Sequence, residues 1–367
     1  QSLIAAAHEL GNGQLELTSR GNLQLRGLRD GDEMPLAARL QDAGLLPSAA
    51  HERVRNLLAS PLTGRDGAGL ADVGPLIAEF DRALCARPAL AELSGRFLFA
   101  LDDGRADVLA CQPDIAVTAT SPSSMRLLLA GRPVGAPVPY ATAIEWMLTA
   151  AEAFLAERQA QGGTAWRLAE LVDGSDRIAT RLGLAGPAAT SRRFGSAPDP
   201  GPLRQWDGTR ALVVGIPLGS LDVEQASTLA APQLVLTPWR SIVLPDLDDT
   251  ACASLLAACA GRGLITDASH SLRNVTACTG RPGCASALAD VRADAIEVHR
   301  AASPPAAGVH WSGCGRRCGR PGGTVTDVIA TGPGYQVHRT GSTVEVGSTP
   351  AELIAALRTD SVLASAR

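Results

Sequence analysis

Four of the chain's eight cysteines fall into two tight pairs. Cys278 and Cys284 enclose five residues; Cys314 and Cys318 enclose three. Glycines crowd both pairs, at Gly280, Gly283, Gly313, Gly315 and Gly319. Four thiolates are the ligand set of one [4Fe-4S] cluster, and glycine lets a backbone wrap closely around such a group and bring N–H donors to its sulfurs. Other uses of four thiols stay open at this point. Zinc takes four cysteines, but its pairs usually enclose about two to four residues in both halves, which the longer gap fits poorly. Disulfides need an oxidising compartment, for which nothing in the sequence argues, and buried unconnected thiols are common. The other cysteines, Cys85, Cys111, Cys252 and Cys259, show no ligand spacing.

The elements that would carry these loops come from a 367-residue chain with 46% hydrophobic content, enough for two or three domains. A net charge of −4 gives no general affinity for nucleic acid. No apolar run reaches the length of a membrane span, and cluster-type cysteines point to a cytoplasmic setting. All 33 cationic side chains are arginine. Arginine grips carboxylates well but stays charged at any working pH, so it is a poor proton donor.

Leu15–Leu28 alternates and reads as strand–turn–strand, with Arg20, Asn22, Gln24 and Arg26 on one face and Leu23 and Leu25 on the other. A helix is expected from Pro35 to Ala43, an alternating hairpin with a DDG turn over Leu93–Ala110, and mostly helix over 140–185. The Gly-, Pro- and Ser-rich stretch 186–209 reads as a linker. Cys252 and Cys259 sit in an Ala-rich helical stretch, where small buried residues are the default.

Beyond the linker the chain repeats itself. Thr237 of QLVLTPWRSIVLPDL takes the place of Thr18 in the TSRGNLQLRG stretch. GLITDASHSLRNVTAC matches GLLPSAAHERVRNLLAS, pairing His270 with His51, Arg273 with Arg55, Asn274 with Asn56 and Cys278 with Ser60. TVTDVIATG corresponds loosely to RADVLACQ. A near-constant offset across several motifs indicates two half-repeats, only one of which keeps the cysteines. Gly215–Gly219 then lacks a first-half counterpart, so a further segment upstream of Gln1 is expected.

The combined cysteine spacing, with GC and CG around the second pair, resembles the nitrite/sulfite reductase superfamily. That resemblance covers nearly the whole chain. It implies an α+β fold of two pseudo-symmetric halves, each a ferredoxin-like piece plus an α/β lobe. On this chain the pieces are 1–43, 44–185, the linker 186–209, 210–262 and 263–367, the last bearing the cluster. It makes Cys278, Cys284, Cys314 and Cys318 the cluster ligands. In reductases of this family Cys318 would bridge the cube to sirohaem.

The resemblance also implies a site for a tetrapyrrole, whose carboxylates suit arginine forks. TSRGNLQ matches the family's Thr-x-Arg-x-x-x-Gln strand and places Arg20 and Gln24 on ring carboxylates. VRN places Arg55 in the active site. LSGRFLF matches a Lys-x-Lys stretch, with Arg96 at the first lysine and Leu98 at the second. Leucine neither holds a small oxyanion nor passes protons, which argues against anion reduction. RGNLQLRGL, HWSGCGRRCGRP and the short chain look like the precorrin-3B synthase branch, where the tetrapyrrole is substrate. Its implied reaction is oxygen-dependent hydroxylation and γ-lactone formation on precorrin-3A, in aerobic cobalamin biosynthesis. Arg55 and Arg96 would be catalytic; Arg20, Gln24, Arg55 and Arg96 would bind substrate. A [4Fe-4S] cluster, an additional non-haem iron, dioxygen and an external electron donor or reductase would take part. His51, His270 and His310 are candidate iron ligands only by proximity to the motifs. The alternatives are a sirohaem-dependent sulfite or nitrite reductase and a non-catalytic iron–sulfur or tetrapyrrole-binding protein. A monomer is expected.

Overall fold

The structure is a computed structural model describing residues 1–184, 195–300, 305 and 308–358. Helix α1 (Ser2–Glu9) precedes strands β1 (Gln14–Leu17) and β2 (Leu23–Leu25), then helix α2 (Glu33–Asp42). Next come β3 (Leu57–Ala59), α3 (Gly74–Cys85), β4 (Phe99–Asp102), β5 (Ile115–Ser121), β6 (Ser124–Leu129), β7 (Arg132–Pro133), β8 (Val138–Pro139), α4 (Ala143–Ala160) and α5 (Gly174–Arg181). The remainder holds β9 (Gly201–Arg204), β10 (Arg210–Gly215), β11 (Ser220–Asp222), α6 (Val223–Thr228), β12 (Val235–Leu236), β13 (Ser241–Leu247), α7 (Asp249–Gly261) and β14 (Val275–Ala277). It ends with α8 (Val291–His299), β15 (Gly308–Ser312), β16 (Val325–Ala330), β17 (Tyr335–Arg339), β18 (Ser342–Val346) and α9 (Pro350–Arg358).

The described residues form two compact units. One takes in residues from 1–36, 199–202 and 210–367; the other takes in 37–198 and 203–209. The stretch expected as linker lies partly outside the described residues, and its later part is not linker: residues 201–204 form β9.

The 37–198 unit is built on a sheet ordered β3-β4-β5-β6-β7, with β8 also paired to β6. β3, β4 and β5 run parallel, and β5, β6 and β7 antiparallel. Every residue of β4 is buried, as expected of a parallel strand covered on both faces. The hairpin expected over Leu93–Ala110 is therefore absent: β4 ends at Asp102, and Val108–Cys111 is a short 3₁₀ turn capped by Asp107. Alternation in that stretch came from a turn, not a returning strand. α3 carries Pro75 in its first turn, where a missing N–H is harmless, and buries Leu76, Phe80 and Leu84 on one stripe. Phe80, Phe97, Phe99 and Phe154 meet edge-on or tilted at 4.7–5.2 Å between rings and centre the core.

The other unit holds three sheets. β11-β1-β2 is antiparallel, with β1 in the middle and Leu15, Glu16 and Leu17 buried. A second sheet runs β12-β13-β10-β9. The third runs β14-β15-β16-β17-β18, parallel across its first two pairings and antiparallel across the next two. Aspartates Asp248 and Asp290 cap α7 and α8, each accepting from a backbone N–H of the first turn. Cys252 and Cys259 are buried in α7, as their Ala-rich setting leads one to expect.

The half-repeat is present at atomic detail. Thr18 N–H donates to Asn22 O, and the Thr18 hydroxyl accepts from Arg20 and Asn22 N–H. Thr237 makes the same set with Ser241, Trp239 and Ser241. The lobe sheets share one strand order and one sequence of parallel and antiparallel pairings. One detail is corrected. β16, within TVTDVIATG, is the third strand of its sheet and corresponds to β5; RADVLACQ instead falls in the loop after β4, opposite the second cysteine pair.

Candidate iron–sulfur and anion site

β14 and β15 lie side by side in parallel, with Thr276 beside His310 and Ala277 beside Trp311. Cys278 follows β14 directly, and the Cys314–Cys318 loop follows β15, so both pairs leave the carboxyl ends of neighbouring parallel strands. That edge is where open parallel sheets place ligands. The two loops hold each other. Cys278 N–H donates to Trp311 O at 2.9 Å, Leu288 N–H to Gly313 O at 2.8 Å, and Gly313 N–H to Cys278 Sγ at 3.2 Å. A Cβ on Gly313 would stand 2.7 Å from the Cβ of Ala287, so only glycine brings this N–H to the sulfur.

The donor set, its placement and this crowding fit a thiolate-bound cluster. The side chains are not closed on a centre: among the described residues no three His, Cys, Asp or Glu groups are gathered to hold a metal ion. The thiols outside the two pairs are poorly suited to ligation. Burial, then Asp107, pushes the Cys111 thiol up to about 11, and burial does the same at Cys259.

A chain of charges ties the first cysteine loop to the N-terminal sheet of the same unit. Arg292 donates to Cys278 O at 3.2 Å and to Glu16 at 2.7 Å, and Arg26 holds the other Glu16 oxygen at 2.8 Å. Arg240 is 8% exposed and donates to Gly319 O at 2.6 Å. Arg320 grips both oxygens of the buried Asp327 at 2.9 Å, joined by Arg317 at 3.4 Å.

The residues expected to bind substrate divide between the units. Arg20 and Gln24 belong to the cysteine-bearing unit, Arg55 and Arg96 to the other. Arg20 is half-buried in the Thr18–Asn22 turn; Gln24 is exposed and accepts from Arg26. The Arg55 fork already holds a carboxylate: Nε and Nη2 meet the two oxygens of Asp81 at 2.6 and 3.1 Å. Its repeat partner Arg273 is likewise ion-paired, to Asp199. Arg96 is exposed and stacks over the Trp166 ring at 5.3 Å. Leu98 is 3% exposed, and its N–H donates to Asp114 Oδ2 at 2.8 Å.

The three histidines separate clearly. Both ring nitrogens of His51 are engaged, by the Ser48 hydroxyl at 3.0 Å and Arg87 O at 3.1 Å. His270 Nδ1 accepts from Leu272 N–H. His310 is fully buried, with Nδ1 against the Thr276 hydroxyl at 2.9 Å and Nε2 without a hydrogen-bond partner. Burial, followed by the charge of Arg240, pushes it down to about 4, against the opposing pull of Asp327 and the Cys318 backbone. Sequence reasoning missed Glu16, Arg240, Arg292 and Asp327. For Arg240 a signal existed: aligning Thr237 with Thr18 sets Arg240 where the first half has Gly21.

No family model matches the chain. It is 29% identical over 353 residues, 91% of its own length and 74% of the relative's, to a Sinorhizobium protein named precorrin-3B synthase. It is 25% identical over 379 residues, 90% of its length and 72% of the relative's, to a ferredoxin–nitrite reductase of Synechococcus elongatus. The structure of the NirA protein of Mycobacterium tuberculosis superposes on all of this chain and 78% of its own, with a TM-score of 0.76 and 21% identity. The fold is thus the nitrite/sulfite reductase-like one, and the resemblance drawn from the cysteine pairs holds.

Proposed function

We propose that the chain is an iron–sulfur oxidoreductase that hydroxylates a carboxylated tetrapyrrole, converting precorrin-3A to precorrin-3B with dioxygen. The observation that carries this reading is Leu98. At a position where the resemblance sets a lysine of the reductases, this chain has a buried leucine whose side chain is apolar and whose backbone groups are both engaged, the N–H by the Asp114 carboxylate and the carbonyl by Asp114 N–H. The position therefore offers no cation to sulfite or nitrite. The Sinorhizobium relative named precorrin-3B synthase supports the same choice.

In this reading Cys278, Cys284, Cys314 and Cys318 hold a [4Fe-4S] cluster, with Gly313 N–H stabilising the Cys278 thiolate. When bound, the cluster would supply single electrons and a non-haem iron would activate dioxygen. Arg20, Gln24, Arg55 and Arg96 hold and orient ring carboxylates, and Arg55 exchanges Asp81 for a substrate carboxylate. Arginines fix the ring without moving protons, because they stay charged. One oxygen atom enters the ring and the other leaves as water, with two electrons arriving from a separate donor or reductase and two protons from solvent. The protein acts as a monomer in the cytoplasm.

The test is to supply cluster-reconstituted protein with precorrin-3A, dioxygen and a chemical reductant, and to follow the product by mass spectrometry with labelled oxygen. Incorporation of one labelled atom, with no sirohaem bands in the visible spectrum, is the expected result. Tight sirohaem together with sulfite- or nitrite-dependent electron consumption would replace this reading with the reductase one. A cluster without haem and without turnover would leave a tetrapyrrole-binding protein.

A further inference from the structure

Arg240 is held at some expense. Its φ is +56°, in the left-handed region, where the matching turn of the first half has Gly21 at +65°. A non-glycine residue there carries backbone strain. Gly219 faces it, and a Cβ on Gly219 would stand 2.5 Å from Arg240 Cδ, so the neighbouring turn is cleared for this side chain.

Among the described residues no carboxylate is ion-paired with the guanidinium so accommodated. It is 8% exposed, and its recorded side-chain hydrogen bond is to the carbonyl of Gly319, the residue after Cys318. Glu16, the acid whose charge reaches it, is held by Arg26 and Arg292. Burial first, then Arg292, makes its charged form costlier than usual, with Glu16 only partly opposing. A buried cation without an anion is an expensive arrangement unless a ligand supplies the anion.

Building on the cluster reading above, we propose that Arg240 is the resident counter-charge of the iron–sulfur cluster, stabilising its reduced form from the Thr237–Ser241 turn that packs against the Cys318 loop. A cubane with four thiolates is an anion and becomes more negative on reduction, so a fixed cation beside it raises the reduction potential. Arginine suits the task because burial does not neutralise it at working pH.

The test compares Arg240→Gly and Arg240→Lys after anaerobic reconstitution. Arg240→Gly suits the backbone angle and removes the charge; Arg240→Lys keeps the charge. Iron and sulfide content, melting temperature and an EPR-monitored redox titration are read for each. Loaded Arg240→Gly should show a reduced-to-oxidised ratio about tenfold lower at fixed potential, equivalent to about 59 mV for one electron, with Arg240→Lys restoring most of it. Iron lost from Arg240→Gly but kept by Arg240→Lys also supports the proposal. A fully loaded Arg240→Gly with unchanged potential overturns it, as does equal iron loss from both variants. An unchanged potential with a raised KM for the tetrapyrrole would reassign Arg240 to a substrate carboxylate. If the unsubstituted protein takes up no cluster, the cluster reading itself fails, and this proposal falls with it.

Discussion

The two lobe sheets share a backbone and differ in chemistry. Ser60 N–H donates to Leu101 O as Cys278 N–H does to Trp311 O. Asp103 N–H reaches the Ser60 hydroxyl at 3.2 Å, and Gly313 N–H reaches Cys278 Sγ at the same distance. One lobe thus sets a hydroxyl where the other sets a thiol. The hydroxyl donates to the buried Asp107 at 2.7 Å, and Arg105 pairs with Asp103 and Asp66 nearby. The rows across the sheets diverge as well: Leu58, Ala100, Ala116 and Leu128 in one, Thr276, His310, Asp327 and His338 in the other. A fold repeats through its backbone hydrogen bonds; a site is decided by the side chains at one sheet edge and on the face away from the core.

Exchanging the two chemistries probes this difference most sharply. Cys278→Ser makes the cysteine lobe resemble its counterpart and is expected to abolish cluster retention, because a hydroxyl is a hard, poorly ionised ligand. Iron and sulfide analysis measures it, with Cys85→Ser and Cys252→Ser as controls that keep their iron. Equal loss from all three would break the comparison.

A second, smaller effect lies in the acidic lobe. Burial pushes Asp107 up to about 6, with Asp102 adding to the shift and the Ser60 hydroxyl, Val108 N–H and Arg105 opposing it. A carboxyl with a raised folded-state pKa binds its proton more tightly when folded. Its stabilising contribution is complete below the unfolded value near pH 4 and is lost as pH rises through about 6. Denaturant melts between pH 4 and 7 should show this loss, on the order of 2–3 kcal/mol, and Asp107→Asn should flatten it. An unaltered slope in the variant would assign the pH dependence elsewhere.

The reverse exchange, Ser60→Cys, should gain no iron, since the other three thiols are missing there. It should lose about 1 kcal/mol as a weak thiol donor replaces the hydroxyl on Asp107. Smallest of all is Asp81→Ala. The pair with Arg55 is partly exposed, so its loss should cost under about 1 kcal/mol. If Arg55 serves a substrate carboxylate, the freed fork should tighten tetrapyrrole binding in a titration; a drop in melting temperature alone would leave Arg55 structural, like Arg273.

Much of the scaffold could be read from residue order. The alternation of Leu15–Leu28, the helical stretch containing α4 and the Thr18/Thr237 correspondence are local patterns, and the structure has all three. Cysteine spacing is local too. The false hairpin at Leu93–Ala110 arose because the residues after the DDG turn alternate within a 3₁₀ turn, while β4 takes its partners from β3 and β5, further away in the chain. Pairings between distant segments were not legible. Asp81 filling the Arg55 fork and Glu16 joining Arg26 to Arg292 depend on tertiary approach, which no spacing encodes. Arg240 escaped notice because a left-handed arginine violates the local rule that would have set glycine there.

The central strand of the first sheet has a consequence for how the chain is made. β1 pairs along one edge with β2, close behind it, but along the other with β11, whose Ser220 lies 206 positions after Gln14. During synthesis at about 5–20 residues per second, roughly 10–40 s separate the emergence of the two strands from the ribosome. The 37–198 unit can fold in that interval, while Leu15 and Leu17 wait beside an unpaired strand edge. Such an edge templates aggregation, and late long-range pairing is intrinsically slow. Nascent chains stalled before β11 should therefore be the ones that recruit chaperones, and a circular permutant that makes β11 and β1 neighbours in sequence should be released from that need.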